Sequence, residues 1–195
     1  MARPEPGVTR PDAGGQAAPP RAHPPAGAAG PGLEETEAFA AEMHAGQLDK
    51  GGEAYIGHPL RVRAIARRTA PAAGVDLVHA QLAALLHDVV EDTEVTLADL
   101  AARGYPPAVV ATVDALSKRP GEQTADYLAR VAVDPVAVVV KRADMADNGD
   151  PVRLARLPAE QAERLATRYA GRRVLLDELA AAAAARARQD GPRST

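Results

Sequence analysis

His87 and Asp88 are neighbours in the run Ala83-Ala84-Leu85-Leu86-His87-Asp88-Val89-Val90-Glu91-Asp92-Thr93. A neutral imidazole nitrogen and a carboxylate oxygen from adjacent positions offer two ligands to a cation. Helical spacing brings Glu91 and Asp92 round to the side of Asp88, three and four residues on. Solvated helices also carry carboxylates, but seldom straight after Ala-Ala-Leu-Leu. Elsewhere His58 opens a helix after a Gly-rich loop, and Asp144 sits late in an apolar helix with Asn148 one turn beyond it. Two histidines and two carboxylates suit Mn²⁺, Fe²⁺, Co²⁺ or Zn²⁺. A cation held this way with open positions acidifies a bound water and polarises a phosphoryl oxygen, which is the requirement of hydrolytic chemistry.

Each residue also has a plainer reading. His58 before Pro59 caps a helix; Asp144 pairs with Lys141 or Arg142; Glu91 and Asp92 form a solvated helix end. The combination, in this order, is what favours a site.

The elements that must position these residues are helical. The chain has 195 residues, 46% hydrophobic but only 3% aromatic, so its core is built from Leu, Val, Ile and Ala, which favours packed helices. Residues 1–32 are rich in Pro, Ala and Gly with no Leu or Ile, and are expected to be a disordered tail in which His23 is solvated. From Leu33 the 3-4 spacing of Thr36, Phe39, Ala40, Met43 and His44 predicts a helix. Asp49 to Gly57 reads as a loop. Helices are expected over about His58–Arg68, Val75–Val90, a short stretch from Leu97 capped by Thr96, Pro106–Lys118, Glu122–Val133 and Pro135–Asp147. Pro71 and Gly74 are expected to break the chain. The β-branched run Val138-Val139-Val140 is read as buried helix because of Pro135 and the polar pattern after it. Pro158 opens a last long helix through Leu179, extended over Ala180–Ala185. The sum is an all-α single domain of about seven to nine helices: a tail over 1–32, a domain over 33–180, and an Ala/Arg-rich helix end with a frayed tail over 181–195.

Net charge is −3, which gives no global pull toward nucleic acid polymers or anionic membrane. With no cysteine, disulfides and thiolate sites are excluded. No apolar run approaches the roughly 20 residues that span a bilayer, and the N-terminus lacks an apolar signal region, so a soluble cytoplasmic protein is expected. Oligomeric state is left open.

Three segments together carry a family resemblance: Tyr55-Ile56-Gly57-His58-Pro59-Leu60, the Leu85-Leu86-His87-Asp88-Val89-Val90-Glu91-Asp92-Thr93 element, and Val140-Lys141-Arg142-Ala143-Asp144-Met145-Ala146-Asp147-Asn148. This pattern resembles the HD hydrolase domain of the RelA/SpoT family, particularly its small, hydrolase-only members, over roughly residues 33–157. The resemblance implies a helical HD-domain bundle and hydrolysis of the 3′-pyrophosphate of (p)ppGpp, usually with Mn²⁺. It maps metal ligands onto His58, His87, Asp88 and Asp144, and an acid/base pair onto Glu91 and Asp92. It places Asn148 where the family contacts the nucleotide.

The chain departs from the family at three points, one of them a segment between Lys118 and Val138 that is shorter than in the long enzymes. Where the family's loop carries an arginine that packs against guanine, this chain has Asp49. Where Met-Arg-Thr usually follows the asparagine, it has Gly149-Asp150-Pro151. Lys50, Lys141 and Arg142 are candidates for binding phosphates, with Arg142 read more readily as a surface cation. Tyr55 supports the loop or packs on a base, with support favoured. His44 is expected to be a core histidine or one beside the ligands, and His79 structural. Three functions compete: an alarmone pyrophosphohydrolase, a phosphatase of another phosphorylated nucleotide (a dinucleotide 2′-phosphate or a nucleoside monophosphate), and a non-catalytic nucleotide sensor. The intact ligands, Glu91 and Asp92 argue against the third; Asp49 keeps the second open.

Overall fold

The computed structural model describes residues 30–190. Most of the Pro-rich tail, His23 and the last five residues lie outside the described residues. Ten helical segments follow in order: α1 Leu33–Met43, α2 Gly57–Ala73, α3 Leu77–Leu86, α4 Val89–Asp92, α5 Leu97–Ala102, α6 Pro107–Leu116, α7 Thr124–Ala132, α8 Pro135–Asn148, α9 Pro151–Leu154 and α10 Ala159–Gln189. Eight are helices of six residues or more, and α4 and α9 are single turns. Among the described residues, extended pairing is limited to one bridge, Leu48 to Ala54. The all-α reading holds.

The centre is α3. Every residue from Ala80 to Leu86 is buried, as expected of a helix apolar on all sides. One cluster joins its Ala80, Ala83 and Ala84 to Val62 and Ala66 of α2, Leu128 and Val131 of α7, Val139 and Val140 of α8, and Leu176 of α10. A second joins its Leu82 and Leu86 to Phe39 of α1, Leu100 of α5, and Val109 and Val113 of α6. The small alanines let α2 and α8 approach α3 closely, and that approach brings the ends of all three helices together.

Local sequence explains the boundaries. Asp134 accepts hydrogen bonds from the N–H groups of Val136 and Ala137, and Pro135 takes the first helical position. This cap commits Val138-Val139-Val140 to helix despite their β-branching. Thr96 and Asp99 form the capping box of α5. The α2 helix runs through Pro71, where a break was expected. Pro71 lies in the last turn and faces solvent, so little is lost there. The stop is Gly74, left-handed at φ 68°.

Two other differences concern the site. The helix expected over Val75–Val90 is interrupted: α3 ends at Leu86, and α4 starts at Val89. A turn after Asn148 also folds into α9, because Asp150 caps it through the N–H groups of Val152 and Arg153, and Pro151 sits at its first position. At the other end, Gly32 belongs with the domain. Its N–H donates to the Glu35 carboxylate, and its carbonyl accepts from the Thr36 hydroxyl.

Candidate metal centre

The break between α3 and α4 holds His87 and Asp88. In a continuous helix, adjacent side chains diverge by about 100°. Here the chain turns, and His87 Nε2 lies 2.9 Å from Asp88 Oδ2. His87 Nδ1 is 2.9 Å from the Ala84 carbonyl and donates its proton there. That leaves Nε2 buried, outside any well-formed hydrogen bond and turned toward Asp88. A second-ring-nitrogen hydrogen bond of this kind is how proteins fix a metal-binding histidine.

His58 enters from the first turn of α2. Its Nδ1 is 2.7 Å from Asp147 Oδ2, which again directs Nε2 inward, 3.2 Å from Asp144 Oδ1 and 3.6 Å from Asp88 Oδ2. The two imidazole rings meet edge to face, 5.2 Å apart. One donor atom each from His58, His87 and Asp144 falls within 4.8 Å of the others. Donors about 2.1 Å from a common cation stand roughly 3–4 Å apart, so these residues fit a divalent ion, with Asp88 close to both histidines.

The electrostatics are those of a cation site. Burial opposes charge on His58, but hydrogen bonds to Asp144 and Asp147 and the nearby carboxylates push it up to about 9. Burial also opposes charge on His87, and Asp88 outweighs it. Burial would raise Asp144, yet the Lys141 ammonium and the histidines hold it well below the usual carboxylate range. Lys141 Nζ is 2.7 Å from Asp144 Oδ2 and lies over the Tyr127 ring. Both predicted partnerships of Asp144 are therefore real: it pairs with Lys141 and joins the histidines. Asn148 Nδ2 donates to Asp144 Oδ1 at 2.5 Å.

Glu91 and Asp92 flank the cluster on different sides rather than sharing a face. Glu91 Oε2 accepts from the Lys118 N–H at 2.8 Å. Its side chain lines a cleft of about 110 Å³ with Lys118, Tyr127, Lys141, Asp144 and Arg172. Asp92 faces Tyr55, whose hydroxyl is 3.3 Å from Asp92 Oδ2 and 2.5 Å from Asp88 Oδ2. Both acids reach solvent, yet the protein crowding their carboxyl groups raises them, as does the charge of Asp88.

The other predicted residues fall as follows. Tyr55 supports the site, its ring between His44 at 4.8 Å and His58 at 5.7 Å. Lys50 is at the rim, its Nζ 3.2 Å from the Tyr169 hydroxyl. Arg142 turns away from the centre to pair with Asp177. His44 is buried beside Tyr55, and His79 bonds Thr112. The sequence reading missed Asp147, although its i, i+3 spacing from Asp144 was a usable signal. It also missed Arg61, Arg153, Lys118 and Arg172, which are distant in sequence and met only through the fold.

A helical domain with a buried His–Asp cluster where three helices end is the class that fold and geometry define. Residues 55–149 match the HD domain family. The chain is 34% identical over 125 residues to a GTP pyrophosphokinase of Streptomyces coelicolor, covering 60% of this chain and 14% of that protein. It is 32% identical over 125 residues to a guanosine-3′,5′-bis(diphosphate) 3′-pyrophosphohydrolase of Aquifex aeolicus, covering 60% and 17%. Against the Danio rerio guanosine-3′,5′-bis(diphosphate) 3′-pyrophosphohydrolase MESH1, identity is 43% over 70 residues, covering 35% and 37%. The chain thus spans well under half the length of these relatives. A solved structure described as a metazoan ortholog of SpoT that hydrolyzes ppGpp superposes with a TM-score of 0.54 at 23% identity, covering 82% of this chain and 95% of that one. It shares the fold.

Proposed function

We propose that this protein is a divalent-metal-dependent phosphohydrolase that removes the 3′-pyrophosphate of guanosine 3′,5′-bis(diphosphate). The observation that carries the reading is the His58, His87 and Asp144 donor set, within 4.8 Å, beside a cleft lined by Lys118, Lys141 and Arg172. The names of the Aquifex aeolicus and Danio rerio relatives support the substrate class.

His58, His87, Asp88 and Asp144 are the residues to hold the cation, with Mn²⁺ as the favoured ion. When bound, it supplies Lewis acidity toward a phosphoryl oxygen and lowers the pKa of a coordinated water. The remaining work falls to the protein. Glu91, raised and facing the cleft, takes a proton from the attacking water and returns it to the leaving oxygen. Asp92, on the Tyr55 side, orients the same water or exchanges that role with Glu91. Lys118, Lys141 and Arg172 offset the charge of a polyphosphate, and Lys50 reaches it from the rim. Asn148 fixes the Asp144 carboxylate and, from the same position, contacts the nucleotide. Tyr55 holds Asp88 in place.

The domain over 33–180 is the unit of this activity, and the partner is a small nucleotide rather than a nucleic acid polymer. Among the described residues no helix is long and apolar enough to cross a membrane; a cytoplasmic location is part of the proposal. A phosphatase of another nucleotide is the second reading. It is favoured by Asp49, whose side chain binds Arg153 and leaves no loop arginine for a purine. A panel of nucleotides incubated with Mn²⁺-loaded protein separates the two. Release of pyrophosphate from ppGpp is the expected result, and cleavage of another nucleotide with ppGpp left intact overturns the first reading.

A further inference from the structure

Arg153, in α9, joins two parts of the molecule 104 residues apart. Its NH2 group donates to Asp49 Oδ2 at 2.8 Å. Its NH1 group donates to the Asp147 carbonyl at 3.1 Å and to the Asp147 carboxylate. Asp147 in turn accepts from Nδ1 of His58. Arg61 runs alongside, its Nε 2.7 Å from Asp147 Oδ1 and its NH2 3.9 Å from Asp49 Oδ2. The other oxygen of Asp49 accepts the N–H groups of Gly51 and Glu53 at 2.8 and 3.1 Å.

The result is one continuous chain: loop amides, Asp49, Arg153, Asp147, His58. The two carboxylates in it are nearly sealed from water, with side chains 8% and 4% exposed. Charge-assisted bonds are stronger there than at an open surface. A guanidinium is suited to the task, because its rigid fork serves two carboxylates at once. One end of the chain is the ring nitrogen opposite the one that faces Asp88 and Asp144. The other end is the loop that carries Lys50 over a small cavity of about 30 Å³ shared with Asn148 and Arg153.

We infer that Arg153 is a positioning residue that couples closure of the 49–53 loop to the holding of a divalent cation by His58. The inference rests on the reading of His58 as a metal ligand. A loop in place keeps Arg153 on Asp147, and Asp147 then keeps the His58 ring turned to the cation. By linkage the cation must order the loop to the same degree that the loop favours the cation.

The test uses the full chain and Mn²⁺ alone, with two variants. Arg153→Gln removes the fork. Asp49→Asn keeps the oxygen used by Gly51 and Glu53 but points an amide N–H at Arg153, far from the metal. Titration calorimetry is expected to show Mn²⁺ binding about tenfold weaker in both, the low end for residues that orient a metal ligand. Combined, the two substitutions should cost no more than either alone, since they cut the same chain. Hydrogen exchange at the Gly51 and Glu53 amides should slow on adding Mn²⁺ to the wild type and stay unchanged in Arg153→Gln. A purely structural role for Arg153 would leave that Mn²⁺ response intact. If the wild type binds Mn²⁺ and both variants match it in affinity and loop response, the coupling is overturned. A wild type that binds no Mn²⁺ overturns the ligand reading, and the coupling with it.

Discussion

At the scale of single residues, the carboxylates of the site fall into two groups, those lowered and those raised by their surroundings. Asp88 and Asp144 are kept ionised by their cationic neighbours, while Glu91 and Asp92 are raised by crowding and by Asp88. Glu91→Gln should keep the metal and lose roughly 10²–10⁴-fold in turnover, the usual range for general acid–base assistance. Turnover close to wild type with metal content unchanged would remove Glu91 from the reaction. Asp49 yields a second expectation. Burial works to raise its carboxyl, but hydrogen bonds from Glu53, Gly51 and Arg153 outweigh that and lower it. A group lowered on folding stabilises the protein above its unfolded value, near 4, and that contribution is lost as pH falls. Acid unfolding of Asp49→Asn should therefore be less steep below about pH 4; identical curves would show that Asp49 titrates alike in both states. The clustering of His58, His87, Asp88 and Asp144 was legible in the sequence because ligand chemistry restricts the choice to few side-chain types. Their orienting partners were not. Asp147 offered only its spacing from Asp144, and Arg61 and Arg153 are ordinary surface types until the fold sets them against Asp147, which bonds His58.

At the scale of elements, what matters is where helices stop. Apolar periodicity marked α3 correctly but ran it on to Val90, because nothing in an amphipathic pattern reports a one-step turn of the backbone. The interruption at His87 and Asp88 brings two neighbouring side chains together, while His58 and Asp144 reach the same point from within α2 and α8. Similarly, Asp150-Pro151 was read only as a departure from a family pattern. The same two residues are a helix start, a capping carboxylate before a proline, and α9 carries Arg153. Asp150→Ala should cost about 1 kcal/mol of stability, the typical value of a cap. It should also weaken Mn²⁺ binding, because Arg153 loses its platform. The check is denaturant unfolding beside calorimetry. If stability falls and Mn²⁺ affinity does not, α9 is a structural appendage only.

At the scale of the molecule, the cluster sits where α2, the α3–α4 break and α8 meet, and both hydrophobic clusters press these elements together. Packing alone brings two carboxylates and two histidines into a space with little water. Such an assembly is costly unless opposite charges balance. Lys141 and the histidines supply that balance in part, and a cation held by the cluster would bridge three elements distant in sequence, so it should act on global stability as well as on turnover. Binding only to the folded state stabilises by RT ln(1 + [L]/Kd), about 2.7 kcal/mol at a hundredfold excess over Kd. In a chain of this size each kcal/mol moves Tm by roughly 2–4 °C. Saturating Mn²⁺ should therefore raise Tm by roughly 5–10 °C, and chelation should reverse the rise. His87→Ala is the sharper control. It removes a candidate ligand at the end of α3 and changes no residue of α2 or α8, so it should lower the starting Tm by its own packing loss and abolish the Mn²⁺ increment. If the increment survives in His87→Ala, the ion that stabilises the fold binds somewhere other than this cluster.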